Sequence, residues 1–235
     1  MTDARKGVFI VLDGLDGSGK ATQSRLLADR LNKEGMPAWK IDFPGYERNF
    51  FGAFVGECLA GRHGDFVNMD PKIASTLYAC DRLESSPQIK EALMSGKAVI
   101  ADRFSSSNQI HQGGKIADKE ERAAFMAWLD RMEHEVLGVP RPDLIIYLRV
   151  PLEVSQGLLE KEREIKNGAQ GGGLDTVEED AAYMRQSFES AELLASQNPS
   201  WRMVECVAEG SMRSREDIHE ELYAIVRDLR TPSSR

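Results

Sequence analysis

The chain is poor in cysteine, holding only Cys58, Cys80 and Cys206 among 235 residues. Odd in number and far apart, they support neither a disulfide framework nor a C-x-x-C metal site, and buried thiols in a reducing compartment are expected. Positive charge is not in excess either. Thirty Lys+Arg against 38 Asp+Glu leave a formal charge of −8 and a pI near 5.2. That balance argues against a broad basic face for a nucleic-acid backbone and confines phosphate chemistry to a local pocket. No apolar run reaches the roughly 18 residues of a membrane span. The opening MTDARKGVFIVLDG passes from polar residues straight into an apolar strand pattern, without the features of a secretory signal. A cytoplasmic protein with no nucleic-acid or membrane partner is expected. There is no internal repeat and no linker-like stretch, so one domain over residues 1–235 is expected. With 41% hydrophobic and 29% charged residues, the composition is that of a packed protein, not a disordered or collagenous one.

Five short apolar runs are present, at 8–13 (VFIVLD), 38–43 (AWKIDF), 98–102 (AVIAD), 144–150 (LIIYLRV) and 201–207 (WRMVECV). Segments of helical periodicity separate them. Strands alternating with helices require right-handed crossovers, which gives an α/β fold with a parallel sheet covered on both faces. In 19–34, Leu26, Leu27 and Leu31 share a helical face, and Gly35 ends the helix. Residues 71–95 begin a helix near Pro71, and Pro87 is expected to divide the segment into two helices. In 118–137, Phe125, Trp128, Leu129, Met132 and Val136 are spaced for burial, as core or a subunit contact. The charged segment 160–180, interrupted by Gly168 and by Gly171 to Gly173, cannot be a continuous helix. It is either a surface loop or, in a phosphate-transfer enzyme, a mobile lid bearing cations.

Directly after the first strand stands Gly14-Leu15-Asp16-Gly17-Ser18-Gly19-Lys20, followed by Ala21 and Thr22. This is G-x-x-x-x-G-K at a strand-to-helix junction, the context in which the pattern cradles phosphates. Its glycines let successive N–H groups face phosphate oxygens, and the following helix adds the positive end of its dipole. Lys20 should reach the terminal phosphates of a bound nucleotide. Ala21 stands where a Ser or Thr hydroxyl would ligate Mg²⁺. Thr22 could contribute instead, water with a nearby carboxylate could fill the shell, or metal binding is weakened; the second option is favoured because Mg²⁺ normally keeps several waters. Asp102 and Arg103 end the third strand, where ligands bind in open α/β sheets. Asp102 can hold a water of the Mg²⁺ shell, and Arg103 offers a planar donor fork to a phosphate.

With these elements the chain resembles the thymidylate kinases over nearly its full length. The resemblance rests on GLDGSGKATQ (14–23), DFPGYE (42–47), YACDRLE (78–84), ADRFSSSNQIHQ (101–112), LGVPRPDLIIYLRV (137–150) and the charged segment after 160. It implies a P-loop NTPase fold, a five-stranded parallel sheet in three α/β/α layers, and a homodimer. It also implies transfer of the ATP γ-phosphoryl group to dTMP with Mg²⁺, yielding dTDP and ADP. Asp16 would then position the acceptor phosphate and the metal, and Tyr46 would touch that phosphate. Phe43 would pack on the sugar or base. Tyr78 and Arg82, four apart on one helix face, would stack the pyrimidine and donate to its O4. The Asn108 amide would pair with the N3 and O4 edge, from a loop that also carries Ser107, His111 and Gln112. His111 is either a sugar-side contact or structural, and Gln112 would meet base or backbone. The cradle has no arginine at Gly17 or Ser18, so Arg163, with Lys161 and Lys166 nearby, is the candidate cation from the lid. Adenine contacts are expected from the loop near Ala208 to Arg213. A kinase for another nucleotide or nucleoside, or a nucleotide-binding regulator without turnover, are the alternatives.

Overall fold

A computed structural model describes residues 7–155, 157–158 and 181–230. The charged segment 160–180, and with it Arg163, Lys161 and Lys166, lies outside the described residues. Strands β1 (Phe9–Gly14), β2 (Ala38–Asp42), β3 (Ala98–Asp102), β4 (Leu144–Arg149) and β5 (Trp201–Glu205) form one sheet. Its order is β2-β3-β1-β4-β5, and every adjacent pair is parallel. The alternation of side chains along β1 explains why both faces must be covered. Ile10 and Leu12 face one layer, with Leu27 and Leu31 of α1 (Lys20–Lys33) and Leu222 and Val226 of the last helix. Phe9 and Val11 face the other, with Ile89, Phe104 and Ile110. Because β1 lies between β3 and β4, the chain crosses over in opposite directions from it, which opens a crevice at the strands' carboxyl ends.

Further helices are α2 (Phe50–Leu59), α3 (Pro71–Met94), α4 (Ser105–Gly114), α5 (Lys119–Asp130), α6 (Ala181–Gln197) and α7 (Arg215–Arg230). The Asp70 side chain caps α3 by accepting from the backbone N–H groups of Lys72 and Ile73. Pro87 does not divide this segment; α3 runs through it. An internal proline removes one backbone hydrogen bond and costs roughly 3 kcal/mol. Buried side chains hold the helix on both sides of it, Arg82, Ser85 and Ser86 before and Ile89 and Ala92 after. The end of the 118–137 segment also departs from expectation. After α5 the helix widens into a π-turn over Arg131–Val136, with Leu137 N–H bonded to Met132 O. That rotation leaves Val136 69% exposed and buries Glu133 in its place. Phe125 and Leu129 keep their buried positions. The expected loop after β5 is a small antiparallel hairpin, β6 (Val207–Ala208) with β7 (Ser211–Met212). Cys58 and Cys206 are buried, Cys80 is partly so, and all three are free thiols. No helix among the described residues is long and apolar enough to cross a membrane.

Candidate active site

The loop between β1 and α1 is shaped by close packing. A Cβ on Gly14 would meet Ser18 Oγ at 2.6 Å and the Leu148 carbonyl at 2.8 Å, so only glycine lets the chain leave β1 here. Gly19 takes φ 86°, a left-handed conformation open to glycine, and α1 starts without a side-chain cap. The first N–H groups of α1 are therefore left to the loop and its ligands. Ser18 is buried and its hydroxyl has no partner among the described residues, a polar atom suited to an oxyanion. Lys20 is 7% exposed, donates to the Leu15 carbonyl at 2.8 Å and lies 3.7 Å from Asp16. Burial, then the positive charge of Arg103, lower its pKa, against the opposing pull of Asp16.

Arg103 sits at the centre of the charged cluster. Its Nη2 pairs with Asp16, its Nη1 lies 3.9 Å from Asp13 and 3.0 Å from His111 Nε2. The backbone at Arg103 takes φ 62°, a left-handed geometry that costs about 1–3 kcal/mol for a residue with a side chain. It is held there by a hydrogen bond from its N–H to the Leu12 carbonyl at 2.9 Å, and by the three side-chain partners. Burial alone would lower the Arg103 pKa, but Asp16, Asp13 and Asp102 together raise it, so the guanidinium is charged throughout. Burial works in the opposite sense on Asp16, and Arg103 with Lys20 outweighs it, holding that carboxyl well below the usual carboxylate range.

One cavity opens beside this cluster. It is lined by Asp16, Phe43, Tyr46, Tyr78, Arg82, Arg103, Ser107, Asn108, His111 and Gln112, so the ten residues expected around an acceptor nucleotide are gathered in one place. They come from the β1–α1 loop, the turn after β2, α3, the end of β3 and α4. Several are already committed. Ser107 donates to Asp13 at 2.8 Å, and the Gln112 side-chain carbonyl accepts from Lys115 at 2.7 Å. Tyr46 is 46% exposed and its ring packs over Gly56. Arg48 donates to the Asp42 carbonyl at 2.7 Å and stacks over Phe43, so it braces the turn after β2.

Other residues of the site carried no sequence motif that singled them out. Asp13, fully buried, accepts from Ser106, Ser107 and the Gly14 N–H and thereby ties α4 to the phosphate loop. Asp81 accepts from the Gly45 N–H at 3.0 Å and from Asn49 at 2.7 Å, fixing the turn that carries Pro44 and Tyr46. Tyr183 of α6 lines the cavity and stacks on His111. An aspartate at a strand end was the available signal for Asp13, and Asp81 lies within the YACDRLE stretch; none existed for Tyr183.

Among the described residues no group of three or more His, Cys, Asp or Glu side chains could hold a metal by itself. Burial raises the Asp102 pKa, with Lys20 opposing, and Asp102 is absent from the ion pairs around Arg103. Ala21 is exposed and Thr22 half-buried at the start of α1. Two carboxylates beside a phosphate cradle, Asp102 and Asp16, fit Mg²⁺, which binds through one or two carboxylates, phosphates and water.

Comparison with known proteins agrees with this geometry. The family model of thymidylate kinase matches residues 12–209. The thymidylate kinase of Halothermothrix orenii is 34% identical over 221 residues, covering 93% of this chain and 95% of that protein. The human thymidylate kinase is 28% identical over 234 residues, covering 99% and 96%. In fold, the structure of thymidylate kinase from Candida albicans superimposes with a TM-score of 0.72 at 21% identity, over 95% of this chain and 92% of that one. A phosphate loop after the first strand, a charged cluster beside it and a matching sequence from one end of the sheet to the other make this chain a member of the thymidylate kinase family.

Proposed function

We propose that the chain transfers the γ-phosphoryl group of ATP to dTMP, giving dTDP and ADP. The observation that carries this reading is the cavity itself. Asp16 and Arg103 stand at its junction with the phosphate loop, while Arg82 and Asn108 line it too, offering polar groups to a base. An acceptor phosphate oxygen attacks the γ-phosphorus as the bond to the β-phosphate oxygen breaks. The acceptor is already ionised near neutral pH, so no general base is required. The protein's work is alignment and charge compensation. Lys20 and loop N–H groups within Gly14–Thr22 hold the donor phosphates, the Gly14 N–H itself going to Asp13. Arg103, kept charged and fixed by Asp16 and His111, meets the acceptor phosphate; Arg163 is the further cation in this reading. Mg²⁺, held by Asp102 with Asp16 and by water, would offset the charge of the β- and γ-phosphates.

Tyr78 and Phe43 would flank the base and sugar, with Tyr46 toward the acceptor phosphate. Ser107 and Gln112 act at one remove, through Asp13 and Lys115. A homodimer is part of the same reading, supported by the exposed apolar side chains Phe50 of α2 and Ile73 and Leu83 of α3. A cytoplasmic location is supported by three free thiols. ADP formation with dTMP, dUMP, dCMP, dGMP and thymidine tests the acceptor. A better acceptor than dTMP would transfer the reading to another nucleotide kinase, and ATP binding without turnover at any Mg²⁺ concentration would leave a regulator.

A further inference from the structure

Glu133 is fully buried in the wall behind the cavity, delivered there by the π-turn that exposes Val136. Its carboxylate engages two residues of that cavity at once. Oε2 accepts from Arg82 Nε at 2.7 Å, and Oε1 accepts from Arg82 Nη2 at 2.6 Å and from Asn108 Nδ2 at 3.3 Å. Asn108 Nδ2 also donates to the Ser75 carbonyl at 3.2 Å. Both partners of Nδ2 are pure acceptors, so the amide has a single satisfactory orientation, nitrogen toward Glu133. The amide atom these bonds leave over is the acceptor Oδ1. In the same way the Glu133 fork takes two of the three Arg82 nitrogens and leaves the donor Nη1.

A buried carboxylate on its own costs several kcal/mol, and a hydrophobic residue of similar size would pack this position at no such cost. What the carboxylate adds is direction. We propose that Glu133 is the positioning residue behind base preference: by holding Arg82 and Asn108 together it fixes a donor beside an acceptor on the cavity wall. A pyrimidine with a C4 carbonyl and an N3–H presents the complementary acceptor and donor. A pyrimidine with a 4-amino group and an unprotonated N3 presents the reverse, and both polar groups of the wall would go unpaired. Were the amide free to turn, that second pattern could be met half-way. The inference rests on the reading of the cavity as the acceptor site.

The test compares kcat/KM for dTMP and dCMP in the wild type and in Glu133→Gln, which is nearly isosteric but cannot present acceptors alone to Arg82 and Asn108. The dTMP-to-dCMP ratio is expected to fall about tenfold or more, with the KM for ATP unchanged within about twofold. In an Asn108→Ala background the same substitution should lower the ratio by less than it does in the wild type, because only the part of its effect that passes through Arg82 remains. A parallel fall for both acceptors that keeps the ratio would overturn the inference. Should Glu133→Gln not fold, the double variant Arg82→Met/Glu133→Leu removes both charges and strands neither. Its equilibrium binding of dTMP and dCMP should then agree within about threefold, and a retained tenfold preference would equally overturn the inference. A wild type that does not phosphorylate dTMP would instead defeat the acceptor reading, so the two failures are separable.

Discussion

Arg103 Nη1 stands 3.0 Å from His111 Nε2, and that contact fixes the state of the histidine. A guanidinium has only donors, so Nε2 must be the acceptor and the ring must be neutral. Its proton then sits on Nδ1, facing Ser187 Oγ at 3.1 Å. Burial first, and the charge of Arg103 second, push the imidazole down to about 4. His111 therefore steadies the arginine without adding a charge to a cluster that must receive phosphates.

This has a consequence for acid stability. The folded-state value of about 4 lies below the ordinary 6.5, so between these limits the unfolded chain binds the proton first. Stability is lost as pH falls from about 6.5 to about 4, by at most about 3 kcal/mol, and no further below that window. Replacing His111 by Gln, which can still accept from Arg103, should flatten urea-unfolding stability across that window. An unchanged pH slope in the variant would show that another group is responsible.

Lys20→Ala and Arg103→Lys should each lower kcat by roughly 100-fold or more while the circular dichroism spectrum stays native. Lysine keeps the charge at position 103 but loses the fork that reaches Asp16 and His111 together. Turnover near that of the wild type would remove the altered residue from the mechanism.

The metal question separates two residues. If water and Asp102 complete the Mg²⁺ shell, Ala21→Ser changes the half-saturating Mg²⁺ concentration by less than about twofold, and Asp102→Asn raises it about tenfold. A sharp drop in the Mg²⁺ requirement of Ala21→Ser would show instead that the missing hydroxyl limits the enzyme.

Removing half of the buried ion pair should be costly. Arg82→Ala strands the Glu133 carboxylate and is expected to destabilise the protein by about 3–5 kcal/mol, whereas Arg82→Met/Glu133→Leu should lose far less. Urea unfolding of the two variants measures the difference, and equal losses would mean that packing, not charge, dominates there.

Much of this architecture is legible in the residues alone. The five apolar runs coincide with the five strands; the inner three, β1, β3 and β4, are buried nearly throughout and leave little room for polar side chains, while the edge strands β2 and β5 keep polar residues such as Lys40 and Arg202. The phosphate loop is equally plain, since its glycines answer to local steric demands. Periodicity failed where the helix changed its own period. At Arg131–Val136 a pattern counted at 3.6 residues per turn selects Val136, and the widened turn selects Glu133. The partner of Glu133 lies 51 residues away, and no local pattern links the two. Pro87 misled for a related reason, since a breaker's local preference yields when the flanking turns are buried. The Asp13 and Asp81 hydrogen bonds likewise join distant segments.

Arg103 follows β3 directly and Lys20 opens α1 one loop beyond β1, and the ladder between those two strands is locked by pairings such as Leu12 with Asp102. Parallel strands keep a separation of about 4.8 Å, so the gap between the end of β3, where Arg103 stands, and the end of β1, where the phosphate loop begins, is inherited from the backbone and not from the protein's periphery. Drift on the outer helices can leave that gap intact. A one-residue deletion within 98–102 cannot, because it would swap the faces of β3 and send Asp102 and Arg103 out of step with the loop that carries Lys20.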